Sequence, residues 1–193
     1  MSLIHYEMSQ NGIRSIFEKN HVIPVVTFNN ATEVHRTVDK LTQLEINCME
    51  ITLRTSFALE AIAYAKKNYG STFKIGVGTI TTRNQIQQVT DLDVDFMVSP
   101  GICKELAPYF EQSLIPFIPG VATPSEIIQG LQFGWDTFKF FPANLYGGIP
   151  ALKTFGQVFP NVRFCPTGGI KENDYLDYLA LENVVAVGGS WMN

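Results

Sequence analysis

Apolar positions follow two alternating rhythms along the chain. Compact apolar runs fall at 22–28, 48–53, 73–79, 96–101, 115–120, 137–141, 162–167 and 184–190, and each reads as a strand. Between them apolar residues recur three and four apart, the spacing of a helix with one buried face. Met8, Ile13, Ile16 and Phe17 predict a leading helix over 7–20. Asn29 and Asn30 turn the chain, Thr32 is a candidate cap, and Val34, Val38, Leu41 and Leu44 mark the next helix. Ser56 is a candidate cap for a helix carrying Leu59, Ile62, Ala63 and Tyr64. Further helices are predicted at 82–90, up to about 112, and at 124–134, 149–156 and 173–181.

Strands that are apolar on both faces suit a parallel sheet covered by helices. Eight strand–helix repeats predict an α/β fold, a (β/α)8 TIM barrel with a leading N-terminal helix, as a single domain over 1–193. An open doubly wound sheet is disfavoured because no G-x-G-x-x-G loop follows the first strand. The sequence stops at Asn193, three residues past the eighth strand, so the last outer helix is expected to be missing from this chain.

One strand is unusual. In Thr137-Phe138-Lys139-Phe140-Phe141 a lysine sits inside an aromatic run that Pro142 ends. By alternation Lys139 shares a face with Thr137 and Phe141, while Phe138 and Phe140 point the other way. An ammonium held among rings and away from water is desolvated, which favours the neutral amine. A neutral amine attacks ketones and forms Schiff bases. The competing interpretation is a lysine that snorkels its head into water.

Composition narrows the classes. The chain is 46% hydrophobic and 17% charged, as globular domains are. A net charge of −4 without a basic cluster argues against nucleic acid or an acidic membrane as partner. No apolar run reaches spanning length and no signal peptide is visible, so a cytoplasmic location is expected. Cys48, Cys103 and Cys165 form no CxxC and read as reduced core residues. His5, His21 and His35 are scattered, so no metal site and no cofactor is expected.

Active sites of such barrels lie at the C-terminal ends of the strands. The second strand ends in Glu50-Ile51-Thr52-Leu53-Arg54-Thr55, with Glu50, Thr52 and Arg54 on one face. Glu50 and Arg54 either pair structurally or project two charges into the barrel mouth. The third strand ends in Gly76-Val77-Gly78-Thr79, offering close approach and the Thr79 hydroxyl. Ser99-Pro100-Gly101 and Pro119-Gly120-Val121 fit plain turns. Thr167-Gly168-Gly169 and Gly188-Gly189-Ser190 close the last two strands, and their backbone N–H groups suit either turns or a phosphate cradle.

Taken together in this order, Glu50–Thr55, Gly78-Thr79, Ser99-Pro100-Gly101, Ile118–Val121, Lys139–Ala143, Pro166–Ile170 and Gly188–Trp191 resemble 2-keto-3-deoxy-6-phosphogluconate aldolases, a family that also cleaves 4-hydroxy-2-oxoglutarate. The resemblance implies a metal-free Schiff-base lyase of the Entner–Doudoroff pathway, a (β/α)8 barrel that assembles as a homotrimer. It implies that Lys139 forms the imine and Glu50 is the acid and base. Arg54, Thr79 and Lys139 would hold the pyruvate part of a phosphorylated 2-keto acid, with Phe141 and Pro100 at the pocket. Thr167, Gly168, Gly169, Gly188, Gly189 and Ser190 would meet the phosphate. Some members carry an arginine after the first strand that helps bind phosphate, and 26–30 has none. The alternatives are a 4-hydroxy-2-oxoglutarate or 6-phosphogalactonate aldolase, or a non-covalent phosphosugar isomerase or binding barrel.

Overall fold

The computed structural model describes residues 3–192, with side chains from residue 11 onward. Its strands are β1 (Val22–Val26), β2 (Cys48–Thr52), β3 (Lys74–Gly78), β4 (Phe96–Val98), β5 (Phe117–Ile118), β6 (Gly120–Val121), β7 (Thr137–Phe140), β8 (Arg163–Pro166) and β9 (Val187–Gly189). The helices are α1 (Leu3–Lys19), α2 (Ala31–Gln43), α3 (Ala58–Tyr69), α4 (Arg83–Thr90), α5 (Ala107–Ser113), α6 (Pro124–Gln132), α7 (Gly148–Val158) and α8 (Tyr175–Leu179). No helix among the described residues is long and apolar enough to cross a membrane.

The strands form a six-stranded sheet in the order β5-β4-β3-β2-β1-β9 and a three-stranded sheet in the order β6-β7-β8. Neighbouring strands run parallel. The expected α/β fold with parallel strands is present, with the strands falling in these two sheets. The run expected at 115–120 is divided at Pro119, which has no N–H to donate to a ladder. The Pro119 carbonyl still accepts from the Lys139 N–H at 2.9 Å, on the β7 side. The strand expected at 184–190 is shorter, with Val184 reduced to an isolated bridge to Phe164. A second bridge joins Thr167 to Gly188. Pro24 lies mid-β1, where pairing passes from β9 (Pro24 opposite Gly189) to β2 (Val25 opposite Glu50).

Alternation along the strands separates two apolar clusters. Met49, Ile51, Ile75, Val77, Met97, Phe138, Phe140 and Phe164 pack outward with helical residues such as Val38, Ile62 and Ile127. Cys48, Phe96, Val98, Ile118, Cys165 and Ala186 turn inward and meet Ile13 and Phe17 of α1. The curled sheets therefore share one interior, and the leading helix plugs its lower end. Phe17 packs edge-on to Phe96 at 5.7 Å. Met8, expected on the same helix face, lies outside the side chains described.

Helix starts follow capping chemistry. Thr82 with Gln85 and Thr123 with Glu126 form capping boxes on α4 and α6. On α2 the cap is Asn30, which accepts from the Glu33 N–H, and Thr32 lies inside the first turn. On α3 the cap position is Phe57, with no side-chain hydrogen bond, and Ser56 lies outside the helix. Asn30 has the extended backbone that capping needs, whereas Phe57 is helical at the cap position and α3 starts without a side-chain cap.

Candidate active site

Two charged side chains meet inside the curl. Lys139 Nζ, from β7 of the smaller sheet, donates to Glu50 Oε1 at 3.0 Å and Oε2 at 3.2 Å, from β2 of the larger one. The two side chains are 7% and 5% exposed. Lys139 is the one buried lysine among the described residues. Its neighbours across the ladders are small, Gly120 on β6 and Cys165 on β8. The Phe141 ring centroid lies 5.3 Å from Nζ. Burial among rings thus describes only part of its surroundings, because a carboxylate takes the amine's hydrogen bonds.

β3 is bare on its inward face. Its two inward positions are glycine: Gly76 faces the Phe96 ring and Gly78 faces the Glu50 carboxylate. Thr79 follows at φ 66°, an uncommon conformation for a β-branched residue that turns the chain sharply at the upper rim. Arg54 is exposed at the same end, two residues beyond β2, and has no hydrogen-bond or ion-pair partner among the described residues. Glu50 pairs with Lys139 and not with Arg54, so the structural Glu50–Arg54 pair is absent. The Pro100 carbonyl comes close to Gly120, where a Cβ would stand 2.2 Å from its oxygen. Ser99 Oγ donates to the Gly101 carbonyl at 2.8 Å, fixing that turn.

The residues expected at a phosphate end gather beside β8 and β9. Thr167 is buried and its hydroxyl donates to the Cys165 carbonyl at 3.3 Å. Gly168 and Gly169 have φ of 101° and 73°, which favour glycine. Each glycine there also answers a packing need. Gly169 abuts the Asn144 side chain, Gly188 the Thr167 side chain and Gly189 the Trp191 indole. Ser190 is exposed.

Further polar groups and a thiol complete this interior, and of these Arg14 carried no sequence signal. Thr52 donates to the Val26 carbonyl at 3.1 Å and shares a 2.7 Å hydrogen bond with Thr27. Arg14 Nε donates to Thr137 Oγ1 at 2.9 Å at the lower end. Cys165 is fully enclosed, and burial pushes its thiol up to about 12, with the Lys139 charge pulling the other way. A thiol so placed stays protonated and is no nucleophile. Among the described residues no group of three or more His, Cys, Asp or Glu side chains is placed to hold a metal ion.

A buried amine with a carboxylate touching it suits covalent chemistry on a ketone. Comparison with known proteins points the same way. The pattern described as "Aldolase: KDPG and KHG aldolase" matches residues 13–193. The 2-dehydro-3-deoxy-phosphogluconate aldolase of Dickeya dadantii (strain 3937) is 39% identical over 183 residues, covering 95% of this chain and 85% of that protein. Among solved structures, KDPG aldolase of Legionella pneumophila, with pyruvate captured at low pH as a covalent carbinolamine intermediate, is 42% identical. It superposes with a TM-score of 0.89 over 92% of this chain and 86% of that one. The 2-keto-3-deoxy-6-phosphogluconate aldolase of Zymomonas mobilis ZM4, solved with 3-phosphoglycerate, is 37% identical, with a TM-score of 0.89 over 94% of this chain and 86% of that one.

Proposed function

The chain belongs to the KDPG and KHG aldolase family, and we propose that its reaction, cleavage of 2-keto-3-deoxy-6-phosphogluconate to pyruvate and glyceraldehyde 3-phosphate, runs through an imine on Lys139 with Glu50 as acid and base. The observation that carries this is the buried contact of Nζ with both Glu50 oxygens, at 3.0 and 3.2 Å. The Legionella relative holds pyruvate as a carbinolamine, the adduct of an amine with a ketone. Lys139 is the buried amine that can form one here.

Glu50 accepts a proton from the ammonium, and the free amine adds to the C2 ketone. Glu50 gives that proton to the departing hydroxyl, so the carbinolamine loses water, Glu50 is a carboxylate again, and the protonated imine that remains serves as an electron sink. Glu50, directly or through a water, takes the proton of the C4 hydroxyl. The C3–C4 bond breaks, its electrons enter the enamine, and the aldehyde leaves. Glu50 returns a proton to C3, and water hydrolyses the imine to release pyruvate and the amine.

The unpartnered Arg54 guanidinium suits a two-pronged contact with the keto-acid carboxylate. Thr79, Pro100 and Phe141 line the same end, while Thr167, Gly168, Gly169, Gly188, Gly189 and Ser190 take the phosphate. That last group contains no cation, which favours a second reading in which 4-hydroxy-2-oxoglutarate, without phosphate, is also a substrate. The ratio of kcat/KM for the two substrates separates these. The same proposal takes the two sheets as one closed eight-stranded barrel, since only Pro119 separates β5 from β6 and two bridges join β8 to the β9 segment. It takes the assembly as a cytoplasmic homotrimer, for which exposed Leu114, Ile128, Leu145, Val158 and Leu176 supply apolar surface; light scattering gives the assembly.

Reduction with borohydride in the presence of pyruvate is expected to tag Lys139. No adduct, or an adduct on another lysine, would overturn the assignment. Glu50→Gln is expected to slow turnover by about a hundredfold or more, and unchanged turnover would remove Glu50 from the mechanism.

A further inference from the structure

Glu50 carries a long, flexible side chain into a space where, among the described residues, Lys139 is the one hydrogen-bond donor that reaches its carboxylate. A protonated imine keeps only one of the ammonium's three N–H groups, so Nζ can no longer donate to both Glu50 oxygens once it has reacted. Something else has to hold the carboxylate in place during the cycle. A Cβ built on Gly78 would stand 1.9 Å from Glu50 Oε1, 2.6 Å from Cδ and 2.8 Å from Cγ. These distances fall well inside the roughly 3.5–4.0 Å of a comfortable contact. The nearest atoms all belong to this one side chain, so the carboxylate lies directly against the bare backbone of β3.

The seat itself is rigid. Gly78 pairs with Thr52 in the β2–β3 register, and its carbonyl accepts from the Leu53 N–H at 2.9 Å. Glu50 is opposite Gly76 in that register, so its carboxylate leans along the strands toward the upper end by resting on Gly78. A methyl group at 78 would therefore displace the flexible partner, Glu50, and move its oxygens away from Nζ.

We propose that Gly78 is a positioning residue of the aldolase reaction: its missing side chain is the seat that aims the Glu50 carboxylate at the reacting nitrogen and carbon, independently of the charge on Lys139. The proposal rests on Glu50 being the acid and base. Gly76 serves as the contrast, because a Cβ there would meet the Phe96 ring at 2.1 Å and not Glu50.

The test is a double-mutant cycle in the full chain. Exchange of the pyruvate methyl protons for deuterium reads the proton transfer directly, and borohydride trapping reads imine formation. Gly78→Ala is expected to slow exchange by about tenfold to a hundredfold while the Lys139 adduct still forms. In a Glu50→Gln background the same change is expected to cost no further exchange. Wild-type exchange in Gly78→Ala, or losses that multiply in the double variant, would overturn the proposal while leaving Glu50 in its role. Wild-type exchange in Glu50→Gln would instead defeat the acid–base reading and the proposal with it. If Gly78→Ala does not fold, Gly78→Ala/Glu50→Ala decides. Recovery of folding once the carboxylate is gone supports the seat, and failure to recover assigns the clash elsewhere and overturns it.

Discussion

β7 and the residue before it carry two charged contacts, one at each end of the strand, and they differ in one respect. At the lower end Arg14 bridges to Asp136 at 2.8 Å, with the side chains 29% and 36% exposed, and donates to Thr137. Two residues further along the strand, Lys139 bridges to Glu50 at 3.0 Å, with the side chains 7% and 5% exposed. The lengths are alike and the surroundings are not. A pair in reach of water gains little and loses little. A pair taken out of water carries a desolvation penalty that its attraction barely offsets, so stability alone gives no reason to keep it. On the proposed function the upper pair serves chemistry and not the fold, whereas the lower one ties α1 to the start of β7.

The sharpest way to break this contrast is Lys139→Met, which keeps the stem and removes the amine. Turnover and the borohydride adduct are expected to vanish. Stability is expected to fall by about 3–5 kcal/mol, because Glu50 is left buried and unpaired. Replacing both partners, Lys139→Met/Glu50→Leu, is expected to restore stability or exceed the original by about 1–4 kcal/mol while activity stays absent. Urea unfolding at constant m-value measures both. A double variant as unstable as the single one would mean that the pair does hold the fold together.

Much of this contrast was legible in the sequence, and the missing part has a physical cause. The period-two pattern of 137–141 put Lys139 on the face opposite Phe138 and Phe140, and the two faces are separate in the structure. The same alternation put Glu50 on one face of the second strand with Thr52 and Arg54. That Lys139 and Glu50 touch, across 89 residues of sequence, depends on the curl of the sheets and on the empty space over Gly78, and neither has a local signature. The glycines at 168–169 and 188–189 stood out, but sequence could not say that Asn144, Thr167 and Trp191 press against three of them. Ile13 and Phe17 marked a leading helix without indicating that it would plug the interior from below. Pro119 was visible, but its effect of dividing one strand between two sheets belongs to hydrogen-bond bookkeeping with β4 and β7.

An intermediate case sharpens the comparison. Asp95, just before β4, accepts from Lys74 at 2.8 Å, Lys66 at 3.0 Å and the Ile75 N–H at 3.0 Å. Burial pushes its carboxyl up, but the hydrogen bonds from Lys74, Ile75 and Lys66 outweigh it and hold the group below the usual carboxylate range. A depressed value means that the carboxylate stabilises the fold above its unfolded value, and that this contribution is lost as pH falls through the folded one. Asp95→Asn is expected to remove about 1.5–3 kcal/mol at neutral pH, with activity unchanged. The difference from the parent is expected to shrink in acid, and a pH-independent difference would show that shape, not charge, is what Asp95 supplies.

The smallest effect is expected at the lower pair. Arg14→Ala removes three contacts, to Asp136, to Thr137 and, at 3.4 Å, to the Asn161 carbonyl. None of these leaves a buried donor stranded. The Thr137 hydroxyl keeps its bond to Asp136 Oδ1 at 3.1 Å, and the Asp136 carboxylate is 36% exposed and so already open to water. The expected loss is therefore about 1 kcal/mol or less, diminishing with added salt. Activity should not move, because Ile13 and Phe17, buried to within 1% of full enclosure, still seat α1 under the chamber. Thermal midpoints at low and high salt, read beside kcat/KM, test this. If Arg14→Ala lowered kcat/KM without lowering the midpoint, the lower contact would reach the chemistry two residues up the strand, and the division of β7 into an anchoring end and a reacting end would fail.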